Sequence, residues 1–321
     1  MNAGVEAPVN RSGYTARPPV ARQSGNATIR KIKRDRYMIL MMVPGLLIFL
    51  LFRYVPMFGL IAAFENYKSY TGFFKSQWVG FANFQRFFQD ASFWQLFRNT
   101  VLLGFYHILF VFPLPIIVAL MLNAVNSTAI KRTLQTIVYM PHFLSWVVVA
   151  SLTITFFASQ DGIVNTWMGT HYNVLANQHT FRATIILQQI WKETGWGTIL
   201  YLAALTGVDP QLYEAAEIDG ATRWKQLWHI TLPCIRGTIV IMLILAMGNF
   251  LNTGFEQILL MLNPLNQNVG NVYDTYVYQM GINNGQLSYT TAVGLFKSVA
   301  SLILITLANR ITKWLGETGL Y

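Results

Sequence analysis

Long uncharged runs alternate along this chain with short polar stretches, and the runs have the length of membrane-crossing helices. A helix rising 1.5 Å per residue needs roughly 20 apolar residues to cross the hydrocarbon layer. Six windows qualify. The first opens at Tyr37 and is free of charge to Phe52. Those residues rise only about 24 Å, so the helix is predicted to continue past Arg53 toward Pro56, with Arg53 reaching to the interface. The second window is Asn99 to Ala124, with Pro113 and Pro115, and the third is Leu134 to Phe157, with Pro141. The fourth is Ala183 to Thr206, with Lys192 and Glu193 inside it. The fifth is Thr238 to Leu262, with Glu256, and the sixth is Thr290 to Ile311, with Lys297. The pattern predicts an all-α integral membrane protein of six transmembrane helices.

The polar stretches set orientation. Residues 1–36 are rich in Pro, Gly and Ser and carry eight Lys or Arg. Such a segment buries no core and is predicted to be a disordered basic tail, leaving a transmembrane domain over 37–321. The tail is too polar for the apolar part of a secretory signal. The run after it is long and lacks a small-residue cleavage site, so it is expected to be retained. With six spans and a cytoplasmic tail, fifteen of the 23 Lys and Arg fall on the cytoplasmic side, the bias that fixes topology. Both termini are predicted inside. The outer segment Glu65 to Arg98 is dense in aromatic residues, with Phe81, Phe84, Phe87 and Phe88 at helical spacing. That spacing fits either a helix lying at the interface or one packed on the bundle.

Composition agrees with a membrane chain. Charged residues make up 11% and hydrophobic ones 54%, against about 25% charged in soluble domains. The net charge of +10 suggests an acidic partner, but reads more simply as basic residues kept on the inner face. Cys234 is the only cysteine, which excludes an internal disulfide and a CxxC metal or redox site. The five histidines, His107, His142, His171, His179 and His229, are scattered and lack metal-ligand spacing, so no metal site is expected. His142, after Pro141, is expected to be packed or hydrogen bonded.

One charged block stands between the fourth and fifth windows: YEAAEIDGATRWKQLWHITLP, Tyr213 to Pro233. Asp209 and Pro210 ahead of it form an N-cap and first-turn pair. Gln211 to Ile218 is predicted to be a short helix. Gly220 permits a tight turn, and Thr222 caps a second helix whose apolar face carries Trp224, Leu227, Trp228 and Ile230. Pro233 is expected to stop that helix before the next span. Ala215, Ala216 and Ala221 are small enough for another protein surface to come close, while Glu214, Glu217 and Asp219 offer acceptors to a basic partner. A DNA-reading helix-turn-helix is disfavoured by the acidic first half and the tether at both ends.

The order EAA, then DGA, then HITLP resembles the EAA loop of binding-protein-dependent ABC importer permeases. The matching residues are Glu214, Ala215, Ala216, Asp219, Gly220, Ala221, Ile230 and Pro233. Leu227 departs from the Phe that many sugar permeases carry, a tolerated apolar swap. "WVGFANFQRFF" and "FWQLFRNT" between Trp78 and Thr100, "VYMPHFLSWVVVA", and "GNFLNTGFEQILLML" are similar as well, so the resemblance covers the chain from about residue 37 to its end. It points to the branch that imports oligosaccharides and polysaccharide fragments, alginate among them.

The resemblance implies the type I importer permease fold and a coupling loop, 209–233, that fits a groove on an ATPase subunit. Glu214 would then meet a basic group there, and Gly220 would make the turn. The implied partners are a second permease, two ATPase subunits and an extracytoplasmic solute-binding protein, in the membrane lipid of the bacterial inner membrane, with no nucleic acid. The sequence leaves homodimeric and heterodimeric pairing open, and the resemblance favours a different chain. No G-x-x-x-x-G-K-[ST] phosphate loop occurs. The chain is therefore expected to be a transport subunit, not an enzyme, with no cofactor of its own, while ATP and magnesium would bind the partner ATPase. Transport would proceed by alternating access.

Polar groups inside spans are costly in lipid and usually face a cavity. They nominate Lys192, Glu193, Asn249, Asn252, Glu256 and Lys297 as pathway residues, with Trp191, Trp196, Phe250 and Phe255 able to stack on sugar faces. The bland alternative makes Lys192 with Glu256, or Lys297 with Glu193, structural ion pairs. The two lysines suit an acidic oligosaccharide such as alginate fragments, whereas the two glutamates offset them and keep a neutral oligosaccharide open. A lipid-linked glycosyl transferase would need convergent acid, base or metal groups at a membrane face. A proton- or sodium-driven transporter would need no EAA loop.

Overall fold

The computed structural model describes residues 34–314, save 69, 160, 172 and 175, together with 316 and 319. The predicted basic tail lies outside the described residues up to position 33. Contacts divide the chain into two units, one ending at Gly59 and one beginning at Leu60. The first unit holds α1, Arg36–Phe49, and a wide turn, Leu50–Tyr54. Its described residues include no buried side chain. The helical path continues past Arg53, as predicted, and reaches Phe64.

The second unit begins in helix and passes into a two-stranded antiparallel ribbon, β1 (Glu65–Asn66) paired with β2 (Gln77–Trp78). The helices that follow are α2 (Ala82–Gln89), α3 (Phe93–Tyr106), α4 (Pro113–Asn123), α5 (Thr128–Tyr139), α6 (Trp146–Phe157) and α7 (Ile163–Met168). Then come the long α8 (Gln178–Thr206), α9 (Pro210–Ile218), α10 (Arg223–Gln226) and α11 (Leu232–Gly248). The chain ends with α12 (Phe255–Met261), α13 (Gln267–Gly270), α14 (Tyr273–Tyr278) and α15 (Leu287–Trp314).

Among the described residues, four helical paths are long and apolar enough to cross a membrane: 36–64, 93–123, 223–248 and 287–314. They account for the first, second and sixth windows and part of the fifth. The third window is not one straight span. Its two legs, 128–143 and 146–157, are bent by 96°. Pro141 lies in the 3-10 turn Met140–Phe143 at the break, where a proline removes a backbone donor and clashes with the preceding turn. The fourth window does form a helix, 29 residues long, but is too polar to count on composition. Its buried residues include Gln188, Gln189, Lys192, Thr194 and Thr198, so protein rather than lipid surrounds this face.

The fifth window is corrected at both ends. Helix continues from Arg223 through Pro233 to Gly248, and Phe255–Met261 is a separate helix. Gly254, between them, has φ +85, a left-handed conformation that no right-handed helix contains. Pro233 does not end the helix because the turn ahead of it widens. Leu227–Thr231 is a wide turn, as are His107–Val111 ahead of Pro113 and Leu50–Tyr54 ahead of Pro56. Each stops two residues before its proline. Bonding five residues back makes room for a ring that would otherwise press on the carbonyl four residues back. The proline positions thus fix where these helices swell.

Helix contacts here rely on close approach rather than on a hydrophobic drive that lipid does not supply. Gly104 lies against the Phe250 carbonyl, Gly195 against the Val138 carbonyl and Gly197 against the Pro115 ring. One apolar cluster, with Ala119, Leu122, Tyr201, Leu205 and Ile235, joins α4, α8 and α11. A second, with Phe87, Phe93, Tyr273, Tyr276 and Tyr289, fastens the aromatic segment to α14 and α15. The sequence left that segment open between two placements, and its residues divide: Phe87 is fully buried, while Phe81 and Phe88 are exposed.

Asp90 locks the same corner. Its Oδ1 accepts from the Ser92 N–H at 2.8 Å, and its Oδ2 accepts from the hydroxyls of Tyr276 at 2.7 Å and Tyr289 at 2.9 Å. Burial works to raise this carboxyl, but those hydrogen bonds outweigh it and hold it below its ordinary value of 3.8. A carboxylate lowered on folding stabilises the fold above the unfolded value, and that contribution is lost as pH falls through the lower folded value. Thermal unfolding against pH should therefore show wild type more stable than Asp90→Asn at pH 7, with the gap closing in acid as pH falls through the lowered folded value. A gap that does not change with pH would remove the carboxylate from this role.

Candidate functional site

Two features carry the chemistry: a capped loop between α8 and α11, and a cavity among the helices. The loop carries the caps and the turn its sequence predicts, though not the stop at Pro233. Asp209 Oδ1 accepts from the Gln211 N–H at 2.9 Å at the start of α9. At its end, Gly220 has φ +73. The Gly220 N–H donates to the Glu217 carbonyl at 3.0 Å and the Ala221 N–H to the Ala216 carbonyl at 2.8 Å. This pair of bonds around a left-handed glycine is the Schellman helix stop. Thr222 then caps α10 by accepting from the Lys225 N–H at 3.4 Å. Tyr213 ties the loop down through a 2.9 Å hydrogen bond between its hydroxyl and that of Thr231.

The tie leaves one face outward. Glu214, Ala215, Asp219 and Gly220 are exposed, and Ala216 and Ala221 are half-buried. Ile218, at 88% exposure, is a large apolar side chain that no described residue covers. The predicted apolar face of the second helix is only partly buried: Leu227 and Ile230 are half-covered, Trp224 and Trp228 exposed, and Gln226 is the buried residue. No atom lies within 4 Å of a Cβ built on Gly220, so the cost of Gly220→Ala is purely conformational, about 1 kcal/mol. Gly220→Asn should cost less, since Asn tolerates this conformation; a larger loss for Asn than for Ala in thermal unfolding would contradict that account.

The cavity is about 1330 Å³. It opens among α3, α4, α8, α11, α14 and α15 and the segment between α11 and α12. Of the nominated pathway residues, Glu193, Trp196, Asn249, Phe250, Asn252 and Phe255 line it. Asn252 Nδ2 donates to Asn249 Oδ1 at 3.2 Å, and the Phe255 ring meets Tyr278 at 5.5 Å. Trp191, Lys192, Glu256 and Lys297 are not part of the lining. Trp191 and Glu256 are exposed.

The ion pairs differ from both predicted pairings. Lys192 Nζ donates to the His142 carbonyl at 2.6 Å and lies 3.7 Å from Glu193 Oε1. Lys297 pairs with Asp274. Glu193 Oε2 is 3.0 Å from His142 Nδ1, and the His142 ring stacks on Trp196 at 4.5 Å with a 6° tilt. His142 is thus packed and hydrogen bonded, as expected. The 3-10 turn at Pro141 sends the chain back toward α8, and that places the His142 carbonyl over Lys192.

Several lining residues escaped the sequence reading: His107, Gln189, Thr253, Asp274, Tyr278 and Thr290. His107 offered a signal, being a titratable ring inside an uncharged window. Asp274 offered none, because it sits outside every apolar window. Among the described residues no group of His, Cys, Asp or Glu is arranged to hold a metal ion.

Residues 111–317 match the family described as "Binding-protein-dependent transport system inner membrane component". The chain belongs to that family. This permease is 50% identical over 308 residues to protein LplB of Bacillus subtilis (strain 168), covering 95% of this chain and 97% of LplB. It is 48% identical over 295 residues to the polygalacturonan/rhamnogalacturonan transport system permease protein YteP of the same organism, covering 91% and 92%. Among solved structures, it is similar to a chain of a bacterial ABC transporter involved in the import of the acidic polysaccharide alginate, with a TM-score of 0.82 at 39% identity, covering 89% of this chain and 98% of that one. A second structure of such a transporter, in complex with alginate pentasaccharide-bound periplasmic protein, gives 0.83 at 39% identity, covering 91% and 99%. The permease is a multi-pass inner-membrane transport subunit, and the family match takes in both the loop and most of the cavity.

Proposed function

We propose that this permease is one membrane half of an ATP-driven importer that takes an oligosaccharide from an extracytoplasmic solute-binding protein into the cytoplasm. The observation that carries the reading is the capped loop, which turns Glu214, Ile218 and Asp219 outward on a rigid mount. An exposed apolar side chain flanked by acceptors needs a partner surface with a socket and a basic rim. A partner ATPase supplies that surface, and nucleotide-driven closure moves the loop and switches the cavity between the two sides of the membrane. In this reading α8 is the fourth of six spans, its polar face lining protein and cavity rather than lipid, with both termini in the cytoplasm. The second half of the path comes from a second permease.

An acidic oligosaccharide is the first substrate class, because one relative is named for polygalacturonan and rhamnogalacturonan and the similar transporter for alginate. A neutral oligosaccharide is the second. It is favoured by the cavity lining, where Glu193 and Asp274 are carboxylates and, among the described residues, no Lys or Arg contributes. Stimulation of ATPase activity in the reconstituted importer by a trigalacturonate, against xylotriose at equal concentration, separates the two.

The loop is tested by purifying the tagged chain from native membranes and identifying its companions by mass spectrometry, beside the Glu214→Lys, Gly220→Pro double variant. Wild type should bring an ATPase and a second permease. The variant should keep the permease and lose the ATPase, with uptake falling by more than tenfold. A wild-type chain that purifies alone, or an ATPase indifferent to the variant, would sink the coupling role.

A further inference from the structure

A one-way chain of hydrogen bonds reaches the cavity lining at Gln189 and ends on His107. It starts in α6, where the Thr153 hydroxyl donates to the Val149 carbonyl at 2.8 Å. Thr153 Oγ1 accepts from Gln188 Nε2 at 2.6 Å. Gln188 Oε1 accepts from Gln257 Nε2 at 2.8 Å, and the same Gln257 nitrogen donates to the Ile185 carbonyl at 2.9 Å. Gln257 Oε1 therefore accepts from Gln189 Nε2 at 3.0 Å, and Gln189 turns its Oε1 to His107 Nδ1 at 3.1 Å.

The direction of every link is fixed. A backbone carbonyl only accepts, so the Ile185 and Val149 carbonyls orient Gln257 and Thr153 independently. Reversing any amide would set two acceptors face to face in a buried site, which costs the desolvation of both. Gln188, Gln189 and Gln257 are all buried, Gln257 to 1% exposure. Gly254 closes over the pair: a Cβ there would stand 3.2 Å from Gln257 Oε1 and 3.3 Å from Gln189 Nε2.

An acceptor facing His107 Nδ1 requires a proton on that nitrogen. In the neutral ring, Nε2 is then a bare acceptor. His107 lines the cavity, and its Nε2 has no hydrogen-bond partner among the described residues. The ring is delivered by sequence, since His107 opens the wide turn that Pro113 imposes. Thr253, a buried hydroxyl on the same cavity wall, also lacks a hydrogen-bond partner among the described residues.

We infer that the amide chain locks His107 in its Nδ1–H tautomer, so that Nε2 accepts a hydrogen bond from a hydroxyl of the transported molecule. His107 is in this view a substrate-contacting, specificity-determining residue that prefers donors at that position. The inference rests on the cavity being the transport path.

The experiment is ¹⁵N NMR of histidine-labelled permease in the complete importer in nanodiscs, with His107 assigned by difference from His107→Asn. Without substrate, Nδ1 should be protonated and Nε2 bare. Gln189→Leu should release the lock and bring in the Nε2–H form. An Nε2–H tautomer in wild type, or a spectrum unmoved by Gln189→Leu, overturns the inference. With xylotriose or trigalacturonate, whichever the importer takes up, the Nε2 signal should shift, and His107→Leu should raise the half-saturating concentration roughly three- to tenfold. Uptake of either sugar with an unmoved Nε2 signal also overturns it. If neither sugar is taken up, the oligosaccharide reading fails, and the tautomer in the substrate-free protein alone decides the inference.

Discussion

Gly195→Ala is expected to destabilise the permease by about 3 kcal/mol, at the upper end of overpacking costs. Gly195 lies midway along α8, facing the carboxyl end of α5. A Cβ there would fall well inside contact distance of the Val138 carbonyl oxygen and carbon and would crowd the Tyr139 nitrogen. These are backbone atoms, so no rotamer change relieves the overlap. Either α8 moves off α5 or the turn at Pro141 shifts, and both disturb the His142 contacts. Gly237→Ala is the control. It lies inside α11 with nothing within 4 Å of a built Cβ, and gains helix propensity of roughly 0.5–1 kcal/mol. Thermal unfolding of the two variants in one detergent should move in opposite directions. Equal melting of Gly195→Ala and wild type would show that α5 and α8 do not meet as described.

Lys192→Leu is expected to cost about 2 kcal/mol, less than the 3–5 kcal/mol of breaking a fully buried pair. The lysine is buried, at 6% exposure, and its ammonium is shared between the His142 carbonyl and Glu193. Removing it leaves the carbonyl unsatisfied and the carboxylate short of one cation. The cost is reduced because the Glu193 side chain is 34% exposed to the cavity and retains His142. A double variant, Lys192→Leu with Glu193→Gln, removes the charge that was left behind and should recover about half of the lost stability. A double variant no more stable than Lys192→Leu would mean that the lysine acts through packing alone, including its position 5.3 Å from the Trp146 ring.

These two positions show how far the sequence could be read. Lys192 and Glu193 were conspicuous as charges inside an apolar window, and such charges need partners. Which partners they take was not legible. The His142 carbonyl reaches Lys192 only because the third window folds back by 96°, and Asp274 reaches Lys297 across 23 positions of chain. Trp196 and Phe255 were nominated for stacking and do line the cavity, whereas Trp191, five residues before Trp196, turns outward. A helical repeat of 3.6 residues separates the two faces, but nothing in the local sequence says which face meets the cavity.

Neighbouring residues dictate the local elements. Apolar run length set where long helices form, the prolines set where they bend or widen, and Asp209, Gly220 and Thr222 set the loop with its caps. Each depends on interactions within a few residues, so each is written in adjacent letters. The EAA and DGA spacing likewise carried the family. Helix packing selects the ion partners, the close approach of Gly195 to Val138, the break between α11 and α12, and the amide chain from Thr153 to His107. Most of these contacts join residues far apart in the chain, and several of them, such as Lys192 to the His142 carbonyl, Gln257 to the Ile185 carbonyl and Gly195 against the Val138 carbonyl, meet backbone carbonyls common to every residue. No local pattern marks which carbonyl will be met, so only the packed helices could choose.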